Sequence, residues 1–128
     1  LRVRVAAPGG ALTLLNTHLD ATGDDVWRMQ EIATVLRVAR ESGRGPLLLG
    51  GDFNAPPESA IHAELRAAGF RDAWPECGEG DAMTFPVTTP VKRIDYLYLT
   101  GAARCASARV LPSDASDHRA LLVKLRLR

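Results

Sequence analysis

The chain has only two cysteines, Cys77 and Cys105, and neither stands in a CxxC pair or beside a histidine at zinc spacing. That excludes a thiolate metal site and a disulfide-dense framework, and both cysteines read as free thiols. Charge of one sign is also lacking: 16 Lys and Arg face 15 Asp and Glu, a net charge of +1. So small an excess gives no bulk attraction to nucleic acid or to a membrane surface. Lysine is nearly absent, Lys92 and Lys124 being the only two, which points to base composition before any functional demand. No apolar run approaches the roughly 20 residues that span a bilayer. The opening Leu1-Arg2-Val3-Arg4-Val5 alternates and forms no signal-peptide block, so the chain reads as soluble, with cytoplasmic placement favoured over secretion. It opens without Met inside an apparent strand, so the expectation is one domain over residues 1–128, truncated at its N-terminus.

What is present is an ordinary globular composition, 46% apolar and 24% charged over 128 residues, enough for one sizeable core. Residues 2 to 5 alternate, Ala7-Pro8-Gly9-Gly10 supplies turn chemistry, and Leu12 to Thr17 is a second apolar run; together they predict a β-hairpin. From Asp24 the period changes. Val26, Met29, Ile32, Ala33, Leu36 and Ala39 recur at helical spacing, with Asp24 and Asp25 at the start, Arg37, Arg40 and Arg44 near the end, and Gly43 as the stop. The run Pro46 to Leu49, ending in Gly50-Gly51, is too short for a helix and predicts a buried central strand. A short helix starts from Pro56-Pro57-Glu58-Ser59, with Ile61, Leu65 and Ala68 inward and Gly69 as its C-cap. Residues 75–93 read as loop, and residues 94–99 and 120–127 as strands, the latter with Leu121, Val123, Leu125 and Leu127 on one face.

Four polar clusters end these apolar runs: Asn16-Thr17-His18, Asp52-Phe53-Asn54, Arg93-Ile94-Asp95-Tyr96 and Ser116-Asp117-His118. Each taken singly has a plain reading. Asp52 and Asn54 suit a helix cap, Asp95 an ion pair with Arg93, and His18 a surface histidine. Together they hold two of the three histidines and three acids at strand ends, which can converge on one sheet edge. Asp, Asn and Asp are hard oxygen ligands suited to Mg²⁺ or Mn²⁺, and histidines beside such a site serve as donors to a developing oxyanion. That combination points to metal-assisted phosphoester hydrolysis.

The ordered series NTHL (residues 16–19), GDFN (51–54), TFP (84–86), RIDYLYL (93–99) and SDHRAL resembles the C-terminal half of the endonuclease/exonuclease/phosphatase superfamily over essentially the whole chain. The resemblance implies an α/β fold, half of a four-layer sandwich of two mixed β-sheets with outer helices. It implies a divalent-metal-dependent phosphoester hydrolase with Mg²⁺ or Mn²⁺ as cofactor. By the same resemblance His118 contacts the scissile phosphate or moves a proton, and Asp95 orients it. Asp117 is a metal ligand. Asp52 positions or deprotonates the attacking water and ligates metal, Asn54 orients Asp52 and the phosphate and joins the metal set, and His18 donates to a phosphate oxygen. His18, Asn54 and His118 are then the substrate-binding residues. The family's N-terminal Asn and metal-binding Glu have no counterpart here. Glu31 and Glu41 read instead as solvated helix residues.

The substrate is a phosphoester, whether nucleic acid, phospholipid head group or small phosphodiester, because loops 19–25 and 75–92 carry no diagnostic motif. The competing readings are a catalytically silent fragment or binding module, which would pair with a missing N-terminal half or self-associate, and a nucleic-acid-binding domain, which the near-zero charge disfavours. Of the remaining residues, His62 reads as partly exposed on its helix. Trp27, Trp74 and Phe85 read as core edge or groove lining, and Arg28 and Gln30 as braces for the loop after His18.

Overall fold

The computed structural model describes residues 1–8, 10–43 and 45–127. Strands β1 (Arg2–Ala7) and β2 (Gly10–His18) form the expected antiparallel hairpin. Helix α1 (Val26–Glu41) then crosses to β3 (Leu47–Asp52), which lies parallel to β2. A parallel pair needs such a crossover, and the helical period after Asp24 supplies it. Gly43 ends the crossover helix in a left-handed conformation, φ +84°. Gly9 of the expected turn and Arg44 of the expected helix end lie outside the described residues.

Helix α2 (Ala60–Ala67) follows a turn over residues 57–58 rather than starting within it, and is succeeded by β4 (Arg71–Asp72), α3 (Ala73–Cys77) and β5 (Asp95–Leu99). The first sheet has the order β1-β2-β3-β5-β4, with β5 antiparallel to both neighbours. A second sheet pairs β6 (Arg104–Leu111) with β7 (Ala120–Arg126). The run Leu47 to Leu49 is buried at the middle of the first sheet, as its unbroken apolar character requires. On one face of the sheet, Leu15, Leu49, Tyr96 and Tyr98 pack with Ile32 and Leu36 of α1 and Ile61 and Leu65 of α2. On the other face Leu48 and Leu99 form a smaller cluster with Ala73 and Ala103, against which Leu12, Leu14, Leu97, Val123, Leu125 and Leu127 pack. The result is a helix layer, a mixed sheet and a second sheet. No helix among the described residues is long and apolar enough to cross a membrane.

Several expectations are corrected. Cys77 and Cys105 are not free thiols: they form a disulfide, with Cα atoms 5.8 Å apart, joining the end of α3 to β6. Ala68 is exposed, because the helix ends at Ala67 and the chain turns out through Gly69 at φ +86°. His62 is 1% exposed and belongs to the core. Glu31 is half-buried and accepts the Asp20 amide at 2.8 Å, whereas Glu41 is exposed and pairs with Arg37. Trp27 is exposed, while Trp74 and Phe85 are half-buried. Arg28 does brace the loop after His18, donating to the carbonyls of Asp20 and Thr22 at 3.0 and 2.6 Å; Gln30 stays exposed.

Candidate active site

Strand register brings the site together. His18 pairs with Asp52 across β2 and β3, and Asp52 pairs with Asp95 across β3 and β5. Three of the chemistry-bearing residues therefore stand side by side at one edge of one sheet, where the apolar runs stop.

The turn after β3 is locally determined. A Cβ on Gly51, at φ +139°, would fall 1.9 Å from the Thr17 carbonyl oxygen, so only glycine lets β2 and β3 approach this closely. Asn54 adopts φ +48°, a left-handed conformation that asparagine tolerates better than most residues. Its backbone N–H donates to Asp52 Oδ1 at 2.8 Å and its Nδ2 to the Leu19 carbonyl at 2.8 Å. Backbone bonds from Leu19 to Asp52 and from Phe53 to Ile94 clasp the turn from both sides. With one Asp52 oxygen held by Asn54, Oδ2 is the atom presented to the histidines.

His118 arrives from the second sheet, two residues before β7. Its Nδ1 lies 2.8 Å from Asp95 Oδ2, and its Nε2 lies 3.7 Å from Asp52 Oδ2. His18 Nε2 lies 3.5 Å from the same Asp52 oxygen. Asp52 is 16% exposed and His18 73%, so the carboxylate forms the floor and His18 the open rim. Burial alone would depress the basicity of His118. The hydrogen bond that His118 donates to Asp95 and the charges of Asp95, Asp52 and Asp117 outweigh it and hold the pKa above the ordinary histidine value.

The segment carrying His118 is fixed by the loop before β5. Arg119 N–H donates to the Thr84 carbonyl at 2.8 Å, Val87 N–H donates to the Asp117 carbonyl at 2.8 Å, and Arg119 Nε reaches the Val87 carbonyl at 2.9 Å. The Phe85 ring lies 4.9 Å from the His118 ring, between centroids. The sequence alone reads Phe85 as core edge or groove lining. The proximity of TFP to RIDY in the chain was the signal that could have placed it against the histidine.

Among the described residues one group offers three metal-ligating side chains, Asp52, Asp95 and His118, whose donor atoms lie within 4.8 Å of one another. The two carboxylates suit a hard divalent cation that keeps water ligands and accepts substrate oxygens. Asp95, however, is already engaged by His118 Nδ1, which leaves Asp52 as the freer oxygen donor of the three. Asp117 is exposed and lies outside that group, accepting from the Ser116 hydroxyl at 3.2 Å. Of the expected residues, the fold thus gathers His18, Asp52, Asp95 and His118 directly and attaches Asn54 through Asp52. An open crevice of about 660 Å³ runs from Asp95, His118 and Ser116 down between the sheets past Leu14, Leu97 and Val123.

The family model described as the Endonuclease/Exonuclease/phosphatase family matches residues 2–118. The Escherichia coli K12 protein YbhP is 29% identical over 134 residues, a match that covers 99% of this chain and 52% of that protein. The chain therefore spans about half the length of the curated relatives it matches. Among solved structures, a conserved protein of unknown function from Enterococcus faecalis V583 superposes with TM-score 0.84 at 23% identity, covering 94% of this chain and 52% of that one. The mannosyl-6-phosphatase Bt3783 of Bacteroides thetaiotaomicron VPI-5482 gives 0.81 at 23% identity, over 91% and 52%. D. rerio TDP2 complexed with single-strand DNA product gives 0.77 at 18% identity, over 98% and 60%.

Proposed function

This chain belongs to the endonuclease/exonuclease/phosphatase family, and from that premise we propose that it carries the hydrolytic half-site of a divalent-metal-dependent phosphoester hydrolase. The observation that carries the reading is the line Asp95, His118, Asp52: an imidazole fixed through Nδ1 by one carboxylate, with Nε2 turned toward a second. With Nδ1–H committed to Asp95, the free histidine nitrogen is Nε2, the atom that faces the reacting centre.

In the proposed reaction Asp52 Oδ2 accepts a proton from water as that water attacks phosphorus in line. His118, whose basicity Asp95 raises, donates through Nε2 to a phosphoryl oxygen, and His18 donates from the exposed rim. Asn54 keeps Asp52 in place through its backbone N–H. Mg²⁺ or Mn²⁺, held by Asp52 with Asn54 and Asp117 as further oxygen donors, would supply neutralisation of charge on the phosphate. The substrate class is a phosphoester of nucleic acid, phospholipid head group or small phosphodiester.

A second reading, the catalytically silent fragment, draws on two observations: the chain spans about half of its relatives, and no glutamate stands in the site group described above. The decisive assay measures hydrolysis of bis(p-nitrophenyl) phosphate and p-nitrophenyl phosphate with Mg²⁺, with Mn²⁺ and with chelator, by the 128-residue chain and by a polypeptide restoring the family's other half. Metal-dependent turnover by the latter, with little by the chain alone, is expected. Asp52→Ala and His118→Ala should each lower kcat about 10²- to 10³-fold at matched melting curves. Equal rates in chelator, or a folded and fully active Asp52→Ala variant, overturn the mechanism; inactivity of both polypeptides leaves the silent module.

A further inference from the structure

Beneath the Asp52–Asn54 turn lies a buried polar chain that the proposed reaction does not use. The carbonyl oxygen of Ala55, one residue past Asn54, accepts from Tyr96 Oη at 2.9 Å and faces His62 Nε2 at 3.4 Å. Tyr96 Oη is also 2.9 Å from the carbonyl of Arg93, two residues before Asp95. Tyr98 Oη stands 2.7 Å from His62 Nδ1. All three side chains are within 2% of full burial, and the His62 and Tyr96 rings lie 4.4 Å apart.

The proton positions follow from the donor inventory. Burial pushes both tyrosine hydroxyls well above their ordinary pKa, so they remain donors. Burial also lowers His62, although the Ala55 bond opposes this, so the ring is neutral. A neutral imidazole has one donor and one acceptor. Tyr98 donates to Nδ1, so the proton sits on Nε2 and points at Ala55.

We propose that His62, Tyr96 and Tyr98 are positioning residues: a relay that pins the Ala55 and Arg93 carbonyls and so holds Asp52 and Asn54 on one strand end in register with Asp95 on the next. Its catalytic consequence rests on the hydrolase reading; its geometry does not. Strand β5 alternates, so Asp95 lies on the site edge while Tyr96 turns under the same turn from the core side. A single hydroxyl shared between two carbonyls therefore links the two catalytic strand ends from beneath. The turn needs this support because Asn54 is held in a left-handed conformation, and slippage of about 1 Å at a reacting group is enough to cost on the order of 10²-fold in rate.

The test separates positioning from packing. Tyr96→Phe keeps the ring and removes only the hydroxyl. His62→Leu removes both nitrogens, and His62→Gln restores a donor toward Ala55, guarding against a His62→Leu chain that fails to fold. On the 128-residue chain, ¹⁵N NMR at pH 8 should find His62 as the neutral Nε2–H tautomer. Hydrogen exchange at the Phe53 and Asn54 amides should accelerate at least about tenfold in Tyr96→Phe, with Leu49 and Leu99 amides unchanged. In the polypeptide that turns over, Tyr96→Phe should lower kcat about ten- to a hundredfold with KM within about twofold, and His62→Gln should recover most of the loss seen in His62→Leu. An Nδ1–H tautomer, or unchanged exchange at Phe53 and Asn54, overturns the relay whether or not the protein is a hydrolase. Full kcat in a folded Tyr96→Phe variant of an active enzyme overturns the catalytic consequence and leaves the hydrolase reading standing. If no polypeptide turns over, the hydrolase reading fails, and the tautomer and exchange results decide the relay alone.

Discussion

The imidazole of His118 and the carboxylate of Asp95 meet at 2.8 Å although they belong to different sheets. Asp95 opens β5 in the five-stranded sheet, and His118 precedes β7 in the two-stranded one. Their bond is a joint between layers. The orientation of His118 over Asp52 therefore depends on how the second sheet docks on the first, and not only on the strand that carries it.

The first prediction concerns that joint. The raised pKa of His118 arises against the pull of burial from the Asp95 hydrogen bond, then from the charges of Asp95, Asp52 and Asp117. In metal-free protein, NMR titration should place His118 above the ordinary value of about 6.5, and Asp95→Asn should bring it down. The sign for stability follows. A histidine raised in the folded state contributes fully below its unfolded pKa, and that contribution is lost as pH rises through the folded value. Urea midpoints of wild type and Asp95→Asn should thus differ more at pH 5.5 than at pH 9. A His118 pKa unmoved by Asp95→Asn removes Asp95 from its orienting role.

The second concerns the loop after His18. Arg28 is only 4% exposed, and its guanidinium reaches Asp25 Oδ1 at 2.8 Å as well as the two loop carbonyls. Asp25 also accepts the Ser59 hydroxyl at 2.7 Å and the Ala60 N–H at 3.2 Å, so one carboxylate ties α1 to the start of α2. The Ser59 hydroxyl, against the opposing effect of burial and with help from Arg28 and Ala60, keeps the Asp25 pKa below the usual carboxylate range. A depressed carboxylate contributes stability above its unfolded pKa and loses it as pH falls through the folded one. Arg28→Ala should cost about 2–4 kcal/mol in urea denaturation at pH 7, because it leaves Asp25 and two carbonyls without their partner. The gap between wild type and Asp25→Asn should narrow as pH falls through and below the ordinary aspartate range.

Much of this architecture was legible in the chain because one physical rule dominated each stretch. Alternation in Arg2 to Val5, the helical period after Asp24 and the unbroken Leu47–Leu49 run each matched the element that formed. The four polar clusters were legible as a site because each flanks an apolar strand, the first two at the ends of β2 and β3 and the last two at or before the starts of β5 and β7, and register then set His18, Asp52 and Asp95 abreast. What escaped had weaker local signals. Strand β6, RCASARVL, buries only Ala108 fully and carries little apolar alternation, so its pairing with β7 is a tertiary gain. Strand β4 has two residues and α3 carries Pro75 within five. His62 sits on an amphipathic helix where a polar side chain reads as surface; only the fold brings Tyr98 and the Ala55 carbonyl to satisfy both of its nitrogens. Asp117, expected as a ligand from its motif, stands exposed next to His118 in the chain and outside the three-residue group.

The last prediction turns on the bond between Cys77 and Cys105, which spacing alone did not reveal because no short motif links them. It closes a loop of 28 residues in sequence separation and staples α3, beside the first sheet, to β6 of the second. Polar contacts run alongside it: Glu76 accepts from Arg71 Nε at 2.6 Å and from the Cys105 N–H at 3.4 Å, and Arg71 Nη2 donates to the Ala103 carbonyl at 2.6 Å. These contacts hold the layers together in the folded state, whereas the disulfide acts chiefly by restricting the unfolded chain. Removing it should therefore leave the fold intact and cost roughly 2–4 kcal/mol. Three measurements check this. Thiol titration of the unreduced protein in denaturant should find none. Dithiothreitol should lower the urea midpoint of wild type, and Cys77→Ser/Cys105→Ser should show the lowered midpoint without reductant and no further shift with it. The His118 resonance reports the joint: its pKa should stay raised in the double variant, since Asp95 and the loop contacts of Arg119 remain. Two free thiols in native wild type, or a midpoint indifferent to verified reduction, would show that the polar contacts hold the second sheet unaided.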